Sequence, residues 1–369
     1  MEQESIQQLR AWIAEHGIDA FLVTQPQNRS YLSGWLNDDT EGAGMLLVSE
    51  QQQVLLTNPL YKEIAEKEAV GWEIVVPEKR EYTPVIAELA RKYGWKKIGF
   101  ESKAITYWEY ERIRNAGQHE GETLYTLTPF DQSYVDTLRQ VKQPNELELL
   151  KRAIAITDET FTHLCEWIQP GMTEKEVEWE ILRYMVSLGA DGLSFASIVA
   201  SGPHSSMPHA HPTDRRIERG ELITIDMGAR YKGYCADMTR TICLGEPKEL
   251  RMQEVYTAVL HAMKTCEQGL HAGITSVEAD ALARQALEEL AEYYVHSTGH
   301  GVGLQIHEGP GMSPHSPEDA RVLGGSVVTV EPGVYIPGWG GVRIEDCVLV
   351  KENGVEVLTH SPTKLVVPR

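Results

Sequence analysis

Four carboxylates at the ends of short apolar runs constrain the fold of this chain more than any other feature. They are Asp226, Asp237, Glu331 and Glu345. Asp226 and Asp237 lie in two neighbouring apolar runs with a glycine-containing connection between them, and Glu331 and Glu345 repeat this arrangement later in the chain. Because two short strands joined in this way form a hairpin, the sequence predicts two hairpins, each with a pair of carboxylates side by side.

A metal site is the chemistry that best accounts for these carboxylates. A single Asp-x-Gly step is ordinarily a solvated turn, but carboxylates within Val/Ile-rich strands are costly to bury unless they are paired or bind metal. Oxygen ligands together with one imidazole suit Mn²⁺, Co²⁺, Fe²⁺ or Zn²⁺, and bridging carboxylates hold two such ions about 3.5–4 Å apart. The ligand set predicted for one dinuclear site is Asp226, Asp237, His300, Glu331 and Glu345.

An approximate internal repeat accounts for the carboxylates coming in pairs. Residues 169–176 and 271–278 each contain Thr-x-x-Glu, the capping box that begins a helix. Each is preceded by a stretch with apolar residues at helical spacing and followed by a histidine-bearing segment and a two-carboxylate hairpin. Two such halves, packed about a pseudo-two-fold axis, place both hairpins at one centre. The alternative, in which Gly-x-Thr-x-x-Glu is only a common helix start, stays open at this point.

Six motifs resemble those of the pita-bread metallopeptidases, in the branch of Xaa-Pro dipeptidases (prolidases) and Xaa-Pro aminopeptidases. They are PHAHPTDR (208–215), ITIDMG, CADMTRT, HSTGHGVGLQIHE (296–308), VEPGVY and GVRIED, in unbroken order. The resemblance implies a pita-bread catalytic domain that uses two metal ions to cleave the peptide bond on the amino side of proline, in dipeptides or short peptides. It assigns the same five ligands. It also implies contacts with the substrate or with the ligands for four further residues: His209, His296, His307 and Arg343.

The histidines in this region have different expected roles. His296 and His300 have the i, i+4 spacing of a helical metal-binding pair, but the glycines at 299, 301 and 303 disfavour a helix and favour a strand or loop. These glycines also lack the spacing and context of a dinucleotide-binding motif, so no nucleotide cofactor is expected. His209 is preferred over His211 as the functional residue, because the Pro-His step of the resembled family falls at 208–209.

The predicted mechanism follows from this set. Two divalent ions, with Mn²⁺ as the first candidate, lower the pKa of a shared water, so that a hydroxide bridging them attacks the peptide carbonyl. Glu331 is predicted to accept or shuttle the proton, and His209 and His307 to hydrogen-bond the scissile carbonyl or the prolyl nitrogen. Arg343 lies two residues before Glu345 and is predicted to orient a ligand or an inner histidine.

The sequence defines the substrate pocket less well. His296 and His307, with Tyr335 or Trp339, are the candidates for a pocket around proline. The arginine that larger prolidases place before the last Val-rich strand, to hold a dipeptide's carboxylate, has no match here, since Arg321 is displaced in register. The sequence therefore predicts that tripeptides are accepted as well as dipeptides.

The fold class predicted is α/β (α+β), with an amino-terminal α/β layered domain at residues 1–130, a linker at 131–143 and the catalytic domain at 144–369. In the first domain, strands are predicted at 20–24, 45–48, 54–57, 72–76 and 98–100, and helices at 6–15, 84–93 and 108–115. The segment at 28–34 also resembles the amino-terminal domain of the same family. This domain holds no predicted ligand and is expected to restrict access to the site and to mediate homodimer contacts.

Composition excludes some partners. The 369 residues include 34 Lys and Arg against 54 Asp and Glu, a net charge of −20, which argues against nucleic acid or an anionic membrane surface as a partner. The five cysteines show no C-x-x-C pattern, and there is no signal peptide or long apolar run, so a cytoplasmic location is expected. Cys235 and Cys347, each two residues from a proposed ligand, are interpreted as packing residues.

Two alternatives remain for a chain of this kind. One is a metal-independent, creatinase-like amidinohydrolase that relies on its histidines, and the other is a non-catalytic binding protein on the same scaffold. The full set of metal ligands speaks against the first. Non-catalytic relatives lose ligands and carry long charged extensions, and this chain does neither.

Overall fold

In the computed structural model, which describes residues 2–37, 43–77, 81–119 and 122–368, the chain divides into two units, Met1–Arg139 and Gln140–Arg369. The architecture is mixed α/β, as the sequence predicts. Within the predicted linker, Tyr134–Gln140 forms a helix. Among the described residues, no helix has the length and apolarity that crossing a lipid bilayer requires.

The first unit is built around a six-stranded sheet with the order β4-β3-β2-β1-β5-β8. Its strands are β1 (Ala20–Val23), β2 (Gly44–Ser49), β3 (Gln53–Thr57), β4 (Glu73–Val75), β5 (Lys97–Glu101) and β8 (Thr126–Phe130), with a separate ribbon of β6 (Gln118–His119) and β7 (Glu122–Thr123). Its helices are α1 (Glu2–Glu15), α2 (Pro26–Ser33), α3 (Lys62–Glu68), α4 (Tyr82–Tyr93), α5 (Tyr107–Ala116) and α6 (Tyr134–Gln140). β1 pairs in parallel with β5 and antiparallel with β2.

Strand β1 is buried on both faces of this sheet. Phe21 and Val23 pack in one core with residues of α1, whereas Ala20 and Leu22 pack in a second core with residues of α4. A strand covered on both faces has no polar side, which explains the uninterrupted apolar run AFLV. The five strands and three helices predicted for this unit are confirmed, with small differences at their ends. Helix α2 is not among the predicted elements, although Pro26 at its first turn is a helix-start signal.

The second unit contains α7 (Pro144–Trp167), α8 (Glu174–Ser187), α9 (Leu250–Gly269) and α10 (Ser276–Ala286), and 3₁₀ helices at Gly202–Ser206 and Glu288–Tyr293. Its first strands are β9 (Gly192–Leu193), β10 (Ile198–Ser201), β11 (Leu222–Met227), β12 (Ala229–Tyr231), β13 (Tyr234–Cys235) and β14 (Met238–Leu244). The others are β15 (Gly299–Gly301), β16 (Glu308–Met312), β17 (Val327–Val330), β18 (Gly333–Ile336), β19 (Gly340–Arg343), β20 (Asp346–Lys351), β21 (Gly354–Val357) and β22 (Val366–Val367). The two larger sheets have the orders β10-β11-β14-β22 and β16-β15-β17-β20-β21.

The elements of this unit repeat in order, which confirms the internal repeat. Helices α7 and α8 precede the β11–β14 hairpin, and α9 and α10 precede the β17–β20 hairpin. Thr173 caps α8 and Thr275 caps α10, and each forms a complete capping box with the glutamate three residues later. The unit has two apolar cores, one with Phe161 of α7 and the other with Val259 of α9, and the second core also includes Leu222 of β11 and Cys243 of β14 from the first half.

Each hairpin is interrupted near its carboxylates. β11 pairs with β14 so that Asp226 lies opposite Thr239, and β12 and β13 continue the hairpin beyond the interruption. β17 pairs with β20 in the second half, and β18 and β19 continue that hairpin. The first interruption requires glycine at 228, because a Cβ there would lie 1.8 Å from the carbonyl oxygen of Ala236. The carboxylates therefore sit where the strand pairing stops.

Candidate metal centre

Five polar side chains from the two hairpins and β15 converge on one point. Asp226, Asp237 and Glu345 each offer a carboxylate oxygen, and these oxygens lie within 4.8 Å of one another. His300, on the glycine-rich strand β15, places Nε2 3.6 Å from Asp237 Oδ2 and 3.4 Å from Glu331 Oε1. The structure thus brings together all five residues named as ligands from the sequence, and β15 is a strand, as its glycines predict.

Unsatisfied oxygens in this cluster fit a cation. Asp226 Oδ1 and Glu345 Oε1 are buried and have no hydrogen-bond partner among the described residues. A buried carboxylate oxygen in that state costs free energy, because it has given up water without a replacement. Four carboxylates and one imidazole also form a donor set of the kind that binds divalent ions. The residues present therefore fit a divalent metal centre.

Mutual repulsion among the carboxylates leads to the same conclusion. Burial, followed by the charges of neighbouring carboxylates, raises the pKa of Asp237 and of Glu345 well above their usual range. Burial also raises the pKa of Glu331 to about 8. Burial, with a smaller contribution from His307, lowers the pKa of His300 to about 4, so its imidazole is neutral at pH 7 and can ligate a metal. The cluster therefore carries an excess of negative charge, which the guanidinium of Arg343 beside Asp226 balances only in part.

Arg343 is a buried cation beside the cluster. Its guanidinium donates to Asp226 Oδ2 at 2.6 Å and to the Tyr335 hydroxyl at 2.6 Å, and that hydroxyl lies 2.8 Å from Nε2 of His296. The third guanidinium nitrogen, Nε, donates to the hydroxyl of Thr239 at 3.0 Å. Arg343 thus lies beside the candidate ligand Asp226 and, through Tyr335, near His296, and its role of orienting a ligand or an inner histidine stays a prediction.

A second buried arginine supports Glu345 from behind. Arg240, on β14, donates to Asp346 Oδ1 at 2.6 Å and also to the backbone carbonyl of Glu345. Thr239 donates its hydroxyl to Glu345 Oε2 at 2.7 Å. Arg240 is not among the residues predicted for the site. A charged residue inside the fully buried strand Met238–Leu244 is the signal that could have done so, because such a charge must be paired.

The cluster lies in a cavity of about 390 Å³. Besides the five candidate ligands, its polar wall contains His209, His211, His296, Ser297, His307 and Arg343. Its apolar wall is formed by Phe195, Ala196, Ile198, Pro208, Ala210 and Ile306. Burial, followed by the charge of Arg343, lowers the pKa of His296 to about 3, and loss of hydration lowers the pKa of His307. Neutral imidazoles and an apolar surface therefore face the carboxylate cluster.

Two aromatic residues expected to line this cavity do not border it. Trp339 donates its indole N–H to Glu249 at 2.8 Å, and its ring lies 5.1 Å from the guanidinium of Arg251. Tyr335 is buried and does not line the cavity itself. Its hydroxyl contacts Arg343 and His296, which do line it. The turn between β18 and β19 carries Trp339 toward α9 instead. The expectation that Trp339 lines a pocket around proline is therefore wrong.

The residues that do form the wall were harder to identify from the sequence. His211 received no role in the sequence analysis, but it lines the cavity together with His209. The apolar wall comes from three segments far apart in the chain, namely Phe195, Ala196 and Ile198, then Pro208 and Ala210, and finally Ile306. An isolated apolar residue in a sequence carries no signal that distinguishes a pocket wall from a core.

Cys235 and Cys347 are buried, in agreement with their interpretation as packing residues. Sγ of Cys347 lies 3.2 Å from the backbone carbonyl oxygen of Asp237. Burial, followed by the charge of Asp237, raises the pKa of the Cys347 thiol well above its usual range, so the thiol is protonated at neutral pH. Cys347 therefore supports the backbone of a candidate ligand.

Comparison with known proteins places this site in a family. Residues 148–352 match metallopeptidase family M24, and residues 5–141 match the creatinase/prolidase N-terminal domain. The chain is 34% identical over 366 residues to the Xaa-Pro dipeptidase of Pyrococcus furiosus. This alignment covers 99% of this chain and 100% of that protein. Among solved structures, the Xaa-Pro dipeptidase from Bacillus anthracis is 40% identical, with a TM-score of 0.92 and 99% of both chains covered. The X-Pro aminopeptidase from Thermotoga maritima MSB8 is 34% identical, with a TM-score of 0.85 and 96% of this chain and 98% of that chain covered. The chain therefore belongs to metallopeptidase family M24 and is a metal-dependent peptidase, with a creatinase/prolidase N-terminal domain followed by a pita-bread catalytic domain.

Proposed function

We propose that this enzyme hydrolyses the Xaa-Pro bond of dipeptides and short peptides and uses two divalent ions, Mn²⁺ first among them. The proposed ligands are Asp226, Asp237, His300, Glu331 and Glu345. The convergence of these donors in one cavity, beside an apolar wall and neutral histidines, carries the proposal. Its test is hydrolysis of Ala-Pro by the Mn²⁺-loaded protein, with Ala-Ala as the control that lacks proline. Failure to cleave Ala-Pro with any of Mn²⁺, Co²⁺, Zn²⁺ or Fe²⁺ would overturn it.

The residues around the cluster have distinct roles in this reaction. When bound, the metal ions supply a water of lowered pKa and an electrophilic contact for the peptide carbonyl. Glu331 accepts the proton of the attacking water and returns it to the prolyl nitrogen, so that the leaving amine departs neutral. His209 and His307 line the cavity and donate hydrogen bonds to the carbonyl oxygen as it gains negative charge. Arg343 keeps Asp226 in place during these steps.

Proline recognition rests on shape and on the missing N–H group. The bond before proline is a tertiary amide, so a pocket for its ring needs no hydrogen-bond acceptor there. Phe195, Ile198 and Ile306 provide an apolar surface of the required kind on one side of the cavity. Half-buried His296 lies on the polar side, where its Nε2 is 2.8 Å from the hydroxyl of Tyr335.

Peptide length is expected to have a limited effect on the rate. The arginine in the cavity wall is Arg343, and all three of its guanidinium nitrogens donate hydrogen bonds to the protein. The carboxylate of a dipeptide therefore meets imidazoles rather than an arginine that could bind it in a bidentate manner. We expect kcat/KM for Ala-Pro and Ala-Pro-Ala to differ by less than about a thousandfold, roughly 4 kcal/mol of transition-state discrimination. Ala-Pro-amide is the control that removes the carboxylate without adding a residue. A larger dipeptide preference would reveal a clamp that these residues do not provide.

Activity is expected to rise from acid to mildly alkaline pH. Protons compete with metal ions for carboxylates whose pKa is raised, so acid depletes the centre of metal. The pKa of a metal-bound water near 7 acts in the same direction. The measurement is a pH profile of kcat/KM for Ala-Pro at two Mn²⁺ concentrations, and the acid limb should move to lower pH at the higher concentration. A maximum near pH 4, or an acid limb that does not respond to Mn²⁺, would contradict this mechanism.

We further propose a cytoplasmic homodimer in which the first unit restricts access to the site and contributes subunit contacts. The net charge of −20 disfavours nucleic acid and anionic membranes as partners. Light scattering on the full chain tests the dimer, and a mass near that of one 41.4 kDa chain would contradict it. Activity measured with and without a chelator tests the two alternatives. A creatinase-like enzyme would keep its activity without metal, and a non-catalytic binding protein would show no activity in either condition.

A further inference from the structure

Glu174, the first residue of α8, is a fully buried carboxylate that does not border the metal cavity. Its Oε1 accepts hydrogen bonds from the backbone N–H and the hydroxyl of Ser201, both at 2.8 Å. Its Oε2 accepts from the backbone N–H and the hydroxyl of Thr213, at 3.0 and 2.7 Å. Nδ1 of His204 lies 3.0 and 2.9 Å from the two oxygens. One carboxylate thus ties together both ends of residues 202–212, which we call the 202–212 segment.

The 202–212 segment supplies part of the cavity wall. Pro208, His209, Ala210 and His211 all belong to it and all line the cavity. Backbone hydrogen bonds connect these residues to the anchored part of the segment: Met207 N–H donates to the carbonyl oxygen of residue 204, and Ala210 N–H donates to that of Met207, both at 3.2 Å. The position of His209 therefore depends on where the segment is anchored.

The anchor is ionic. Burial raises the pKa of Glu174, but the hydrogen bonds described above outweigh that effect and leave its pKa below the usual value. The carboxylate is therefore charged at neutral pH, and hydrogen bonds to a charged acceptor are stronger than neutral ones. Arg215 lies beside the anchor, where it donates to the Ser201 hydroxyl at 2.6 Å and forms two 2.6 Å hydrogen bonds with Glu221.

The second half of the unit contains a corresponding arrangement. Asp280, a buried residue of α10, accepts hydrogen bonds from the backbone N–H and the hydroxyl of Thr298, at 3.0 and 2.9 Å. It also pairs with Arg284, which donates to the backbone carbonyls of Tyr294 and His296. In each half, a buried carboxylate on the second helix thus holds a segment that carries a cavity histidine.

We infer that Glu174 is a positioning residue for peptide hydrolysis, because it fixes the 202–212 segment so that His209 meets the scissile carbonyl. The inference rests on the proposed function, which gives His209 its contact with the substrate. A hydrogen-bond donor is effective in the transition state only if it is held in place beforehand, and a shift of about 1 Å can cost about a hundredfold in rate. Glu174 touches neither the proposed ligands nor the cavity, so its effect on the reaction passes through the segment.

Substitution of Glu174 by glutamine tests this role. The amide retains one acceptor oxygen but replaces the other with an NH₂ group, which only donates, so glutamine cannot accept from both Ser201 and Thr213 as the two carboxylate oxygens do. Glu174→Gln is expected to lower kcat for Ala-Pro about ten- to a hundredfold, with KM changed by less than about twofold and bound Mn²⁺ unchanged. The matched control is Glu176→Gln, the same substitution two residues later, where an exposed carboxylate closes the capping box with Thr173. The control is expected to keep kcat within about twofold of the unsubstituted enzyme.

Two readouts separate positioning from a merely structural role. In a double-mutant cycle with His209→Ala, adding Glu174→Gln should cost little more than His209→Ala alone, because both act through the same contact. Hydrogen exchange followed by mass spectrometry measures the anchor without any substrate. Exchange of residues 202–213 should be faster in Glu174→Gln and unchanged in Glu176→Gln.

Several outcomes would overturn the inference. Additive effects of Glu174→Gln and His209→Ala would show that Glu174 does not act through His209, and unchanged exchange in 202–213 would show that it is not the anchor. If Glu174→Gln does not fold, Thr213→Val removes one hydroxyl contact to Oε2 and should lower kcat in the same direction by a smaller factor, whereas an unchanged kcat would count against the role. If the unsubstituted enzyme fails to cleave Ala-Pro, the proposed function fails, while the exchange experiment still decides whether Glu174 anchors the segment.

Discussion

Replacement of Asp237 by asparagine is expected to lower kcat/KM for Ala-Pro by at least about a thousandfold, roughly 4 kcal/mol of transition-state stabilisation. Asparagine keeps the shape of the side chain but is neutral, so it cannot act as an anionic or bridging ligand. An oxygen of Asp237 lies within 4.8 Å of oxygens of Asp226 and Glu345, so the substitution removes a donor from the centre of the cluster. Bound Mn²⁺, measured by plasma mass spectrometry, should fall together with the activity.

The fold of the Asp237→Asn variant is expected to survive. Because burial raises the pKa of Asp237, its charge destabilises the metal-free protein, and removal of that charge should leave the melting temperature without metal equal or higher. The matched control is Asp191→Asn, an exposed residue whose carboxylate accepts the Gly233 N–H at 3.0 Å and whose amide can still accept it. Near-normal turnover in Asp237→Asn would contradict the dinuclear assignment.

Removal of the metal is expected to lower the melting temperature, and by more at about pH 8.5 than at about pH 7. A ligand present at a thousand times its Kd stabilises a protein by about 4.1 kcal/mol. For a domain of this size, each 1 kcal/mol shifts the melting temperature by about 2–4 °C, so chelation should lower it by roughly 8–16 °C. Differential scanning calorimetry with and without chelator, at both pH values, measures the effect.

The direction of this pH dependence follows from the shifted pKa values. The pKa of Glu331 is raised from 4.5 to about 8, so the stability that its protonated form contributes is present at low pH and is lost as pH rises through 8. Asp237 and Glu345 act in the same direction. His296 and His300, whose pKa values are lowered to about 3 and 4, stay neutral in the folded protein above pH 7 and are largely neutral when unfolded, so they do not oppose the trend.

The difference between loaded and metal-free protein isolates the metal site. Burial also raises the pKa of Glu267 to about 7, but this residue does not line the cavity and is expected to contribute about equally with and without metal. Glu331→Gln should flatten the pH dependence of the metal-free protein. Equal melting temperatures with and without chelator at both pH values would mean that the carboxylates hold no metal.

Signals that are local in the chain account for the parts of this protein that its sequence predicts. The capping boxes at Thr173 and Thr275 and the hairpins around Asp226 and Glu331 depend on residues close in sequence, so a pattern of spacing is enough to find them. Buried carboxylates in Val/Ile-rich strands have few explanations other than metal, which is why the ligand candidates could be named and are found together.

Contacts between distant residues account for what could not be predicted. Glu174 binds Thr213 at a separation of 39 residues, and Arg240 reaches the carbonyl of Glu345 at a separation of 105. Nothing near Glu174 in the sequence marks it as a support for the site, and the buried strand around Arg240 indicates only that its charge must be paired, not with which residue. The apolar wall is a similar case, because Phe195 and Ile306 become neighbours of the cluster only after the two halves have packed.

The division of the donors between the two halves has a consequence for the dynamics of the second unit. The first half supplies Asp226 and Asp237, and the second half supplies His300, Glu331 and Glu345. Bound metal would therefore cross-link the two halves, in addition to the packing of Leu222 and Cys243 of the first half into the core of the second. Opening of either half must release the metal, so in the loaded protein the amide protons of both cores should exchange with one shared opening free energy. Without metal, the opening free energies of the two cores are expected to differ more, because only side-chain packing and hydrogen bonds such as that from Arg343 to Asp226 then couple the halves.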